Sequence, residues 1–90
     1  MKKYNVSYSD EALKSLKKMD SYQAKIIIGW IKKNLIGCDN PRSFGKPLSG
    51  NLKGFWKYRI GSYRVLAEIQ DDIVLIEIID VGHRREVYKR

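Results

Sequence analysis

The sequence contains only one cysteine, one histidine and two prolines, and these scarcities narrow the class of protein. Cys38 has no second cysteine with which to form an internal disulfide, so the chain suits the reducing cytoplasm. One histidine and one cysteine cannot supply the usual ligands of a zinc site. No apolar run approaches the ~18–20 residues that span a bilayer, and no signal-peptide pattern opens the chain. We therefore expect a cytoplasmic protein with no metal, no cofactor and no membrane partner.

Acidic residues are also absent, from the whole stretch between Asp39 and Glu68. Six cations lie in that stretch: Arg42, Lys46, Lys53, Lys57, Arg59 and Arg64. The chain as a whole has a formal net charge of +8. A charge of this sign and size favours a polyanionic partner, and interleaved aromatic residues point to nucleic acid.

Residues 1–90 are predicted to form a single domain, because no repeat, linker or low-complexity segment divides them. Alternation around Val6 predicts a short first strand. Ser9 is a candidate N-cap for a first helix, and Asp20 or Ser21 for a second. Apolar residues recur at helical spacing after each cap, and Gly37 stands where a C-capping glycine belongs.

Three strands are predicted after a loop that is rich in glycine and proline. They cover Phe55–Ile60, Tyr63–Ile69 and Ile73–Val81, and the last and most apolar is expected to be central and buried on both faces. The element order is therefore β-α-α-β-β-β. The predicted fold class is α+β, an antiparallel sheet with a helical hairpin packed on one face.

Strand alternation places Lys57 and Arg59 on one face of the sheet and their aromatic neighbours on the other. The hairpin brings Arg64 close to them, and the end of the last strand can lie beside the same hairpin. The predicted cluster consists of Lys57, Arg59, Arg64, Arg84 and Tyr88. Cations fixed around a phosphate would stabilise a pentacovalent phosphorane.

The same residues are also compatible with structural roles that involve no catalysis. Lys57 and Arg59 are also typical of a solvated edge that discourages sheet-to-sheet pairing. The position of Arg64 is also compatible with an ion pair to Glu68, four residues along the same strand face, or to Glu77 across the sheet. A lone histidine such as His83 is more often structural than catalytic.

Three stretches resemble the RelE branch of the RelE/ParE toxins of type II toxin–antitoxin systems. They are Ser9–Met19, Pro47–Gly50 followed by Trp56–Val65, and Val81–Tyr88. The resemblance extends over nearly the whole chain in the same order, and it implies the same β-α-α-β-β-β fold.

The resemblance further implies a ribosome-dependent mRNA endoribonuclease that cuts in the A site without a metal. The ribose 2′-hydroxyl attacks the adjacent phosphate, giving a 2′,3′-cyclic phosphate and inhibiting translation. Lys57 and Arg64 would stabilise the phosphorane. Arg84 would protonate or electrostatically stabilise the leaving 5′-oxygen, and Tyr88 would stack on or orient the nucleotide. Further cations are expected to bind RNA: Arg42, Lys46, Lys53, Arg85 and Lys89.

The general base is left open by the sequence. Relatives often have a lysine where Arg59 stands, and arginine stays protonated in proteins. Either Lys57 takes the role, or His83 does, or Arg59 acts only electrostatically. Histidine is the residue type that titrates nearest neutrality, which makes His83 chemically attractive.

The implied partners are a cognate acidic, RelB-like antitoxin and the ribosome with its mRNA and rRNA. The toxin–antitoxin complex is expected to bind operator DNA through the antitoxin. Two alternatives remain. One is a non-nucleolytic, ParE-like toxin that binds DNA gyrase, and the other is a basic module that acts only within a DNA-binding repressor complex.

Overall fold

The computed structural model describes residues 2–83. In that range the elements are β1 (Asn5–Tyr8), α1 (Asp10–Lys18), α2 (Ser21–Asn34), β2 (Lys46–Pro47), β3 (Trp56–Ile60), β4 (Tyr63–Gln70) and β5 (Leu75–His83). The predicted α+β class, with a helical hairpin followed by strands, is confirmed. No helix within the described range is long and apolar enough to cross a lipid bilayer.

The five strands form one mixed sheet in the order β1-β5-β4-β3-β2. The predicted antiparallel arrangement holds for β2 to β5. The first strand departs from it, because β1 pairs in parallel with β5. Parallel neighbours need a long crossover connection, and the helical hairpin together with the strands that follow it supplies one. The middle strand is β4, not the last strand as predicted from its apolar sequence.

Both helices begin at the side-chain caps that the sequence indicates. The Ser9 hydroxyl accepts the N–H of Ala12 at 3.0 Å and donates to the carbonyl of Ile79 at 2.7 Å. This residue therefore caps α1 and also ties it to β5. Asp20, rather than Ser21, caps α2 by accepting two backbone N–H bonds.

The core lies between the helical hairpin and one face of the sheet, here named the helix face. Its fully buried members include Ile27, Ile31 and Leu35 from α2 and its end, and Tyr58, Val65, Ala67, Ile76 and Ile78 from the sheet. Since successive side chains on a strand point to opposite faces, Lys57 and Arg59 lie on the other face, here named the second face. The predicted alternation along β3 is confirmed.

The segment between α2 and β3, predicted as a loop, is held against β3 by a compact turn. Pro41–Phe44 forms a 3-10 turn, and the Asn40 side chain caps it by accepting the N–H of Arg42 at 3.3 Å. The buried Tyr58 hydroxyl donates to the Pro41 carbonyl at 2.8 Å. Burial raises the pKa of Tyr58, so the hydroxyl keeps the proton that this bond needs. The turn leads directly into β2, which is too short to be recognised from periodicity.

Candidate active site

A groove of about 430 Å³ opens against β2, β3 and β4. Its lining residues are Ser43, Phe44, Gly45, Lys46, Lys57, Arg59 and Arg64. We name this feature the cationic groove, because four of the seven lining residues carry positive charge. It brings together three of the predicted catalytic residues, Lys57, Arg59 and Arg64, and one of the predicted RNA-binding residues, Lys46.

The four cations form two cross-strand pairs of like charge. Lys46 of β2 lies directly opposite Lys57 of β3, and Arg59 lies directly opposite Arg64 of β4. Opposed residues have Cβ atoms about 5 Å apart, and like charges at that separation destabilise a sheet. Four cations held on neighbouring strands make this groove a candidate surface for an anion.

The cations differ in depth within the groove. Arg64 is only 9% exposed, whereas Arg59 and Lys46 are exposed and Lys57 is half-buried. A buried guanidinium interacts more strongly with a phosphate than an exposed one, because less water screens it. Arg64 therefore lies where it would stabilise a bound phosphate most strongly. The exposed cations, Arg59 and Lys46, lie where a nucleic-acid strand would make its first contact.

Two carboxylates on the second face, those of Glu68 and Glu77, lie towards the far end of the sheet from the cationic groove. Glu68 of β4 is opposite Glu77 of β5, and Gln70 donates hydrogen bonds to them at 2.7 and 3.4 Å. Glu68 is four residues from Arg64, roughly 13 Å along an extended strand. The second face is thus cationic at one end and acidic at the other.

His83 lies on the helix face, so it does not line the cationic groove. It is opposite Tyr63, and the two rings stack with centroids 4.4 Å apart. Around it is a separate cavity of about 350 Å³ that also includes Lys18 and Met19 of the helical hairpin. The structure therefore separates His83 from the cations with which the sequence grouped it.

Two predicted RNA-binding cations lie outside the cationic groove. Arg42 forms a bidentate ion pair with Asp71, with N–O distances of 2.8 and 3.1 Å, and its guanidinium carbon lies 5.8 Å from the centre of the Trp56 ring. Lys53 is exposed after the 3-10 turn Gly50–Leu52. Arg42 thus fastens the turn segment to the sheet.

The remaining predicted site residues, Arg84, Arg85, Tyr88 and Lys89, lie outside the described residues. The described end of β5 runs beside the start of β4, with Gly82 opposite Arg64. The strand end that precedes these four residues therefore adjoins the cationic groove.

The Arg42–Asp71 contact predicts a pH-dependent contribution to stability. Hydrogen bonds from Arg42 and from the Tyr4 hydroxyl lower the pKa of Asp71 to about 2, below the value of about 3.9 in an unfolded chain. The ionised carboxylate therefore stabilises the fold above about pH 4, and this contribution is lost as the pH falls through about 2. Because the pair is exposed and screened, we expect Asp71→Asn to cost roughly 0.5–1 kcal/mol at pH 7.

Urea unfolding of the wild type and of Asp71→Asn between pH 7 and pH 2 measures that difference. The gap between the two proteins should close as the solution is acidified. Asp72→Asn is the matched control, since it removes the same charge from the same turn but leaves the Arg42 and Tyr4 contacts intact. A gap that is constant with pH would contradict the assignment.

Sequence reasoning missed the wall formed by Ser43, Phe44 and Gly45. Gly45 is required there by close packing: an added Cβ would collide with the Lys57 carbonyl oxygen and lie 2.8 Å from both Trp56 Nε1 and Tyr58 Cδ1. The available signal was the Asn40-Pro41 pair, since a capping residue before proline is typical of a helical turn. Nothing in the local pattern shows that the turn reaches β3.

No group of three or more His, Cys, Asp or Glu side chains in the described part of the chain is placed to hold a metal ion. The charged groups that line the cationic groove are two amines and two guanidinium groups. Such groups bind phosphate and stabilise negative charge that develops on its oxygens.

The fold and the cationic groove define a small basic α+β protein with a cationic sheet face. The family model of the ParE toxin of type II toxin–antitoxin systems matches residues 6–88. Toxin RelE of Mycobacterium tuberculosis is 30% identical over 86 residues, covering 96% of this chain and 87% of that protein. The chain belongs to the RelE/ParE toxin superfamily and is a RelE-like member of it.

Other relatives agree with this placement. Toxin RelG of M. tuberculosis is 40% identical over 50 residues, which span 56% of this chain and 58% of RelG. In the crystal structure of the M. tuberculosis RelBE2 toxin–antitoxin complex, the matched chain has a TM-score of 0.84 at 29% identity, with 96% and 97% of the two chains covered. A free mutant of Escherichia coli RelE shares the fold, with a TM-score of 0.74 at 23% identity and coverage of 97% and 88%.

Proposed function

We propose that this toxin is an endoribonuclease that cleaves mRNA in the ribosomal A site and so inhibits translation. The observation that carries the proposal is the opposed pairing of four cations in the cationic groove. Four cations held on one face of the sheet attract the phosphodiester backbone of an RNA strand. RelE relatives over most of the chain support a nuclease, and the buried Arg64 supports catalysis in addition to binding.

The proposed reaction is an internal transesterification. The ribose 2′-oxygen bonds to the adjacent phosphorus as its proton leaves, and the bond from phosphorus to the 5′-oxygen breaks. The products are a 2′,3′-cyclic phosphate and a 5′-hydroxyl. Lys57 and Arg64 stabilise the charge that develops on the phosphorane oxygens. The leaving 5′-oxygen takes up a proton, either from Arg84 or from water while Arg84 stabilises its negative charge, and Tyr88 orients the nucleotide, as the family resemblance implies.

Lys57 is the best placed of the three candidate bases. Arg59 lines the cationic groove but stays protonated, as arginine does in proteins. His83 can exchange a proton but faces the helical hairpin. Of these three candidates, only Lys57 both lines the groove and carries an amine, the kind of group that acts as a general base in its neutral form.

If Lys57 is the general base, its substitution should slow cleavage strongly, whereas substitution of His83 should have little effect. We expect Lys57→Met to lower the single-turnover cleavage rate on mRNA-programmed ribosomes by about 10²-fold or more, because proton transfer and charge stabilisation are both lost. His83→Ala should retain a rate close to that of the wild type. Thermal unfolding of both variants controls for folding. If His83→Ala is as slow as Lys57→Met while it remains folded, the base assignment is wrong.

A second candidate function is non-nucleolytic binding of DNA gyrase. The observation that favours it is the match to a family model described as ParE toxin. The two functions separate in a paired assay with the purified chain. Cut mRNA on programmed ribosomes with undisturbed gyrase supercoiling supports the nuclease, whereas gyrase inhibition with intact mRNA supports the alternative.

The partner that we propose is a cognate acidic, RelB-like antitoxin, through which the complex would bind operator DNA. An acidic chain complements the net charge of +8. Exposed apolar side chains on the helical hairpin give such a chain further contact area, namely Leu13, Tyr22 and Ile26. Solved complexes of relatives, including E. coli RelE with a RelB peptide, support a partner of this kind.

A further inference from the structure

Phe44 is an exposed aromatic side chain on the border between two cationic depressions. Its side chain is 42% exposed and lines the cationic groove on one side. On the other side it lines a second depression of about 440 Å³, here named the basic side pocket. The charged residues of that pocket are Lys2, Lys3, Lys33 and Asp39. Ser43 and Phe44 line both depressions, so the two adjoin along one ridge.

Packing beneath Phe44 fixes the position of its ring. Phe44 meets Trp30 of α2 edge to face, with ring centroids 6.2 Å apart, and Trp30 packs on the buried Tyr58 ring at 5.7 Å. The turn that carries Phe44 is closed by the Ser43 hydroxyl, which donates to the Asn40 carbonyl at 2.9 Å. The exposed ring is therefore preorganised, and little side-chain freedom is lost when a ligand stacks on it.

A fixed aromatic ring between cationic surfaces is the arrangement that binds single-stranded nucleic acid. Phosphates lie along the cations, and bases stack on the ring with little dependence on sequence. The three lysines of the basic side pocket outweigh its single carboxylate, Asp39, so the pocket also favours an anion. An acidic protein segment would match the charge, but single-stranded nucleic acid carries a planar base beside every phosphate and so matches both the ring of Phe44 and the cations on either side of it.

We propose that one RNA strand crosses the Phe44 ridge, with a base stacked on Phe44 and its flanking phosphates in the basic side pocket. The inference rests on the proposed RNA-cleaving function, because it extends the path of the same strand beyond the cationic groove. It adds Phe44 as a base-stacking residue and Lys33 as a phosphate contact. Binding should consequently depend on RNA length, since a short strand fills the cationic groove alone.

Fluorescence anisotropy with 2′-O-methyl RNA, which lacks the attacking hydroxyl, tests this path on the full chain. The probes are strands of about three and about nine nucleotides. We expect Phe44→Leu to weaken binding of the long strand about tenfold or more and to change binding of the short strand less than about twofold. Phe44→Tyr keeps the ring and should restore the affinity. Poly-glutamate, an anion without bases, should bind Phe44→Leu and Phe44→Tyr as tightly as it binds the wild type.

Lys33 provides an independent test with a matched control on the same helix. The affinity for RNA falls as salt rises, and one phosphate contact contributes about 0.7 to the steepness of that fall in a plot of log affinity against log salt. Lys33→Gln should make the plot for the long strand shallower by about that amount. Lys25→Gln removes an equal charge from an exposed position of α2 and should leave that slope unchanged.

Three results would overturn the inference. The first is equal binding of the long strand by Phe44→Leu and the wild type. The second is a loss of long-strand binding in Phe44→Leu that is equally large in Phe44→Tyr. The third is a loss of poly-glutamate binding in Phe44→Leu as large as its loss of RNA binding. The last result would assign the ridge to an acidic protein partner. Cleavage of ribosome-bound mRNA by the wild type decides the proposed function separately, so the two can fail independently.

Discussion

Arg64→Gln is expected to lower the rate constant of mRNA cleavage on programmed ribosomes by about 10²–10³-fold, with a much smaller change in KM. Arg64 is the most buried cation of the groove, at 9% exposure. Removing one preorganised donor that stabilises developing charge typically costs about 2.7–4 kcal/mol of transition-state free energy. Single-turnover kinetics at saturating protein measure the effect on the chemical step directly.

Arg59 provides the matched control, because it lies directly across the sheet from Arg64 and carries the same group. Arg59→Gln removes an exposed cation, so we expect it to raise KM and leave the chemical step nearly unchanged. Arg64→Lys should fall between the two, since it keeps the charge but loses the forked geometry of guanidinium. Equal rate constants for Arg64→Gln and Arg59→Gln, both folded, would show that burial does not single out Arg64.

Gly45→Ala is expected to give the largest loss of folding stability, about 1–3 kcal/mol or more. The added Cβ would overlap the Lys57 carbonyl oxygen and crowd both Trp56 and Tyr58. Backbone atoms of β3 cannot move aside without breaking the pairing of Lys46 with Lys57. The wall of the cationic groove and the short strand β2 should therefore separate from β3 together. Chemical denaturation followed by tryptophan fluorescence measures the free energy of unfolding.

Gly29→Ala is the control for this substitution, because a Cβ at that exposed position of α2 meets nothing within 4 Å. There the same chemical change should stabilise the protein by roughly 0.5–1 kcal/mol, the ordinary helical preference for alanine over glycine. If Gly45→Ala proves as stable as the wild type, the turn does not pack against β3 as described.

Local features could be predicted from the sequence because their causes are local. Ser9 and Asp20 cap the helices through bonds to residues two or three positions away, and such bonds leave a recognisable pattern. The alternation Trp56–Ile60 also follows from strand geometry alone. This alternation, together with the hairpin turn at Gly61-Ser62, places Lys57, Arg59 and Arg64 close together.

The face occupied by His83 could not be predicted, because one irregularity in β5 reverses it. Ile76 and Ile78 face the helices, and strict alternation would send Val81 and His83 to the second face. The register shifts where β5 passes Leu66 and Ala67, so Val81 joins the core instead. One extra residue moves every later side chain to the opposite face. Nothing in the sequence alone fixes where that residue falls.

The route of the turn segment depends on contacts of long sequence separation. The Tyr58 hydroxyl reaches back to Pro41, and Arg42 reaches forward to Asp71. Neither contact has a periodic signature, so the sequence predicts only a loop rich in glycine and proline for the wall of the cationic groove. The parallel pairing of β1 with β5 was missed for the same reason.

The most direct test of the central claim is the chemistry of the cut ends on ribosome-bound mRNA. The purified toxin is added to ribosomes that carry a defined mRNA, and both new termini are identified by mass. We expect a 2′,3′-cyclic phosphate and a 5′-hydroxyl, and we expect a single 2′-deoxynucleotide at the cut position to abolish cleavage there. Fragments ending in a 3′-hydroxyl and a 5′-phosphate, or unchanged cleavage next to the deoxynucleotide, would contradict a 2′-hydroxyl attack in the cationic groove.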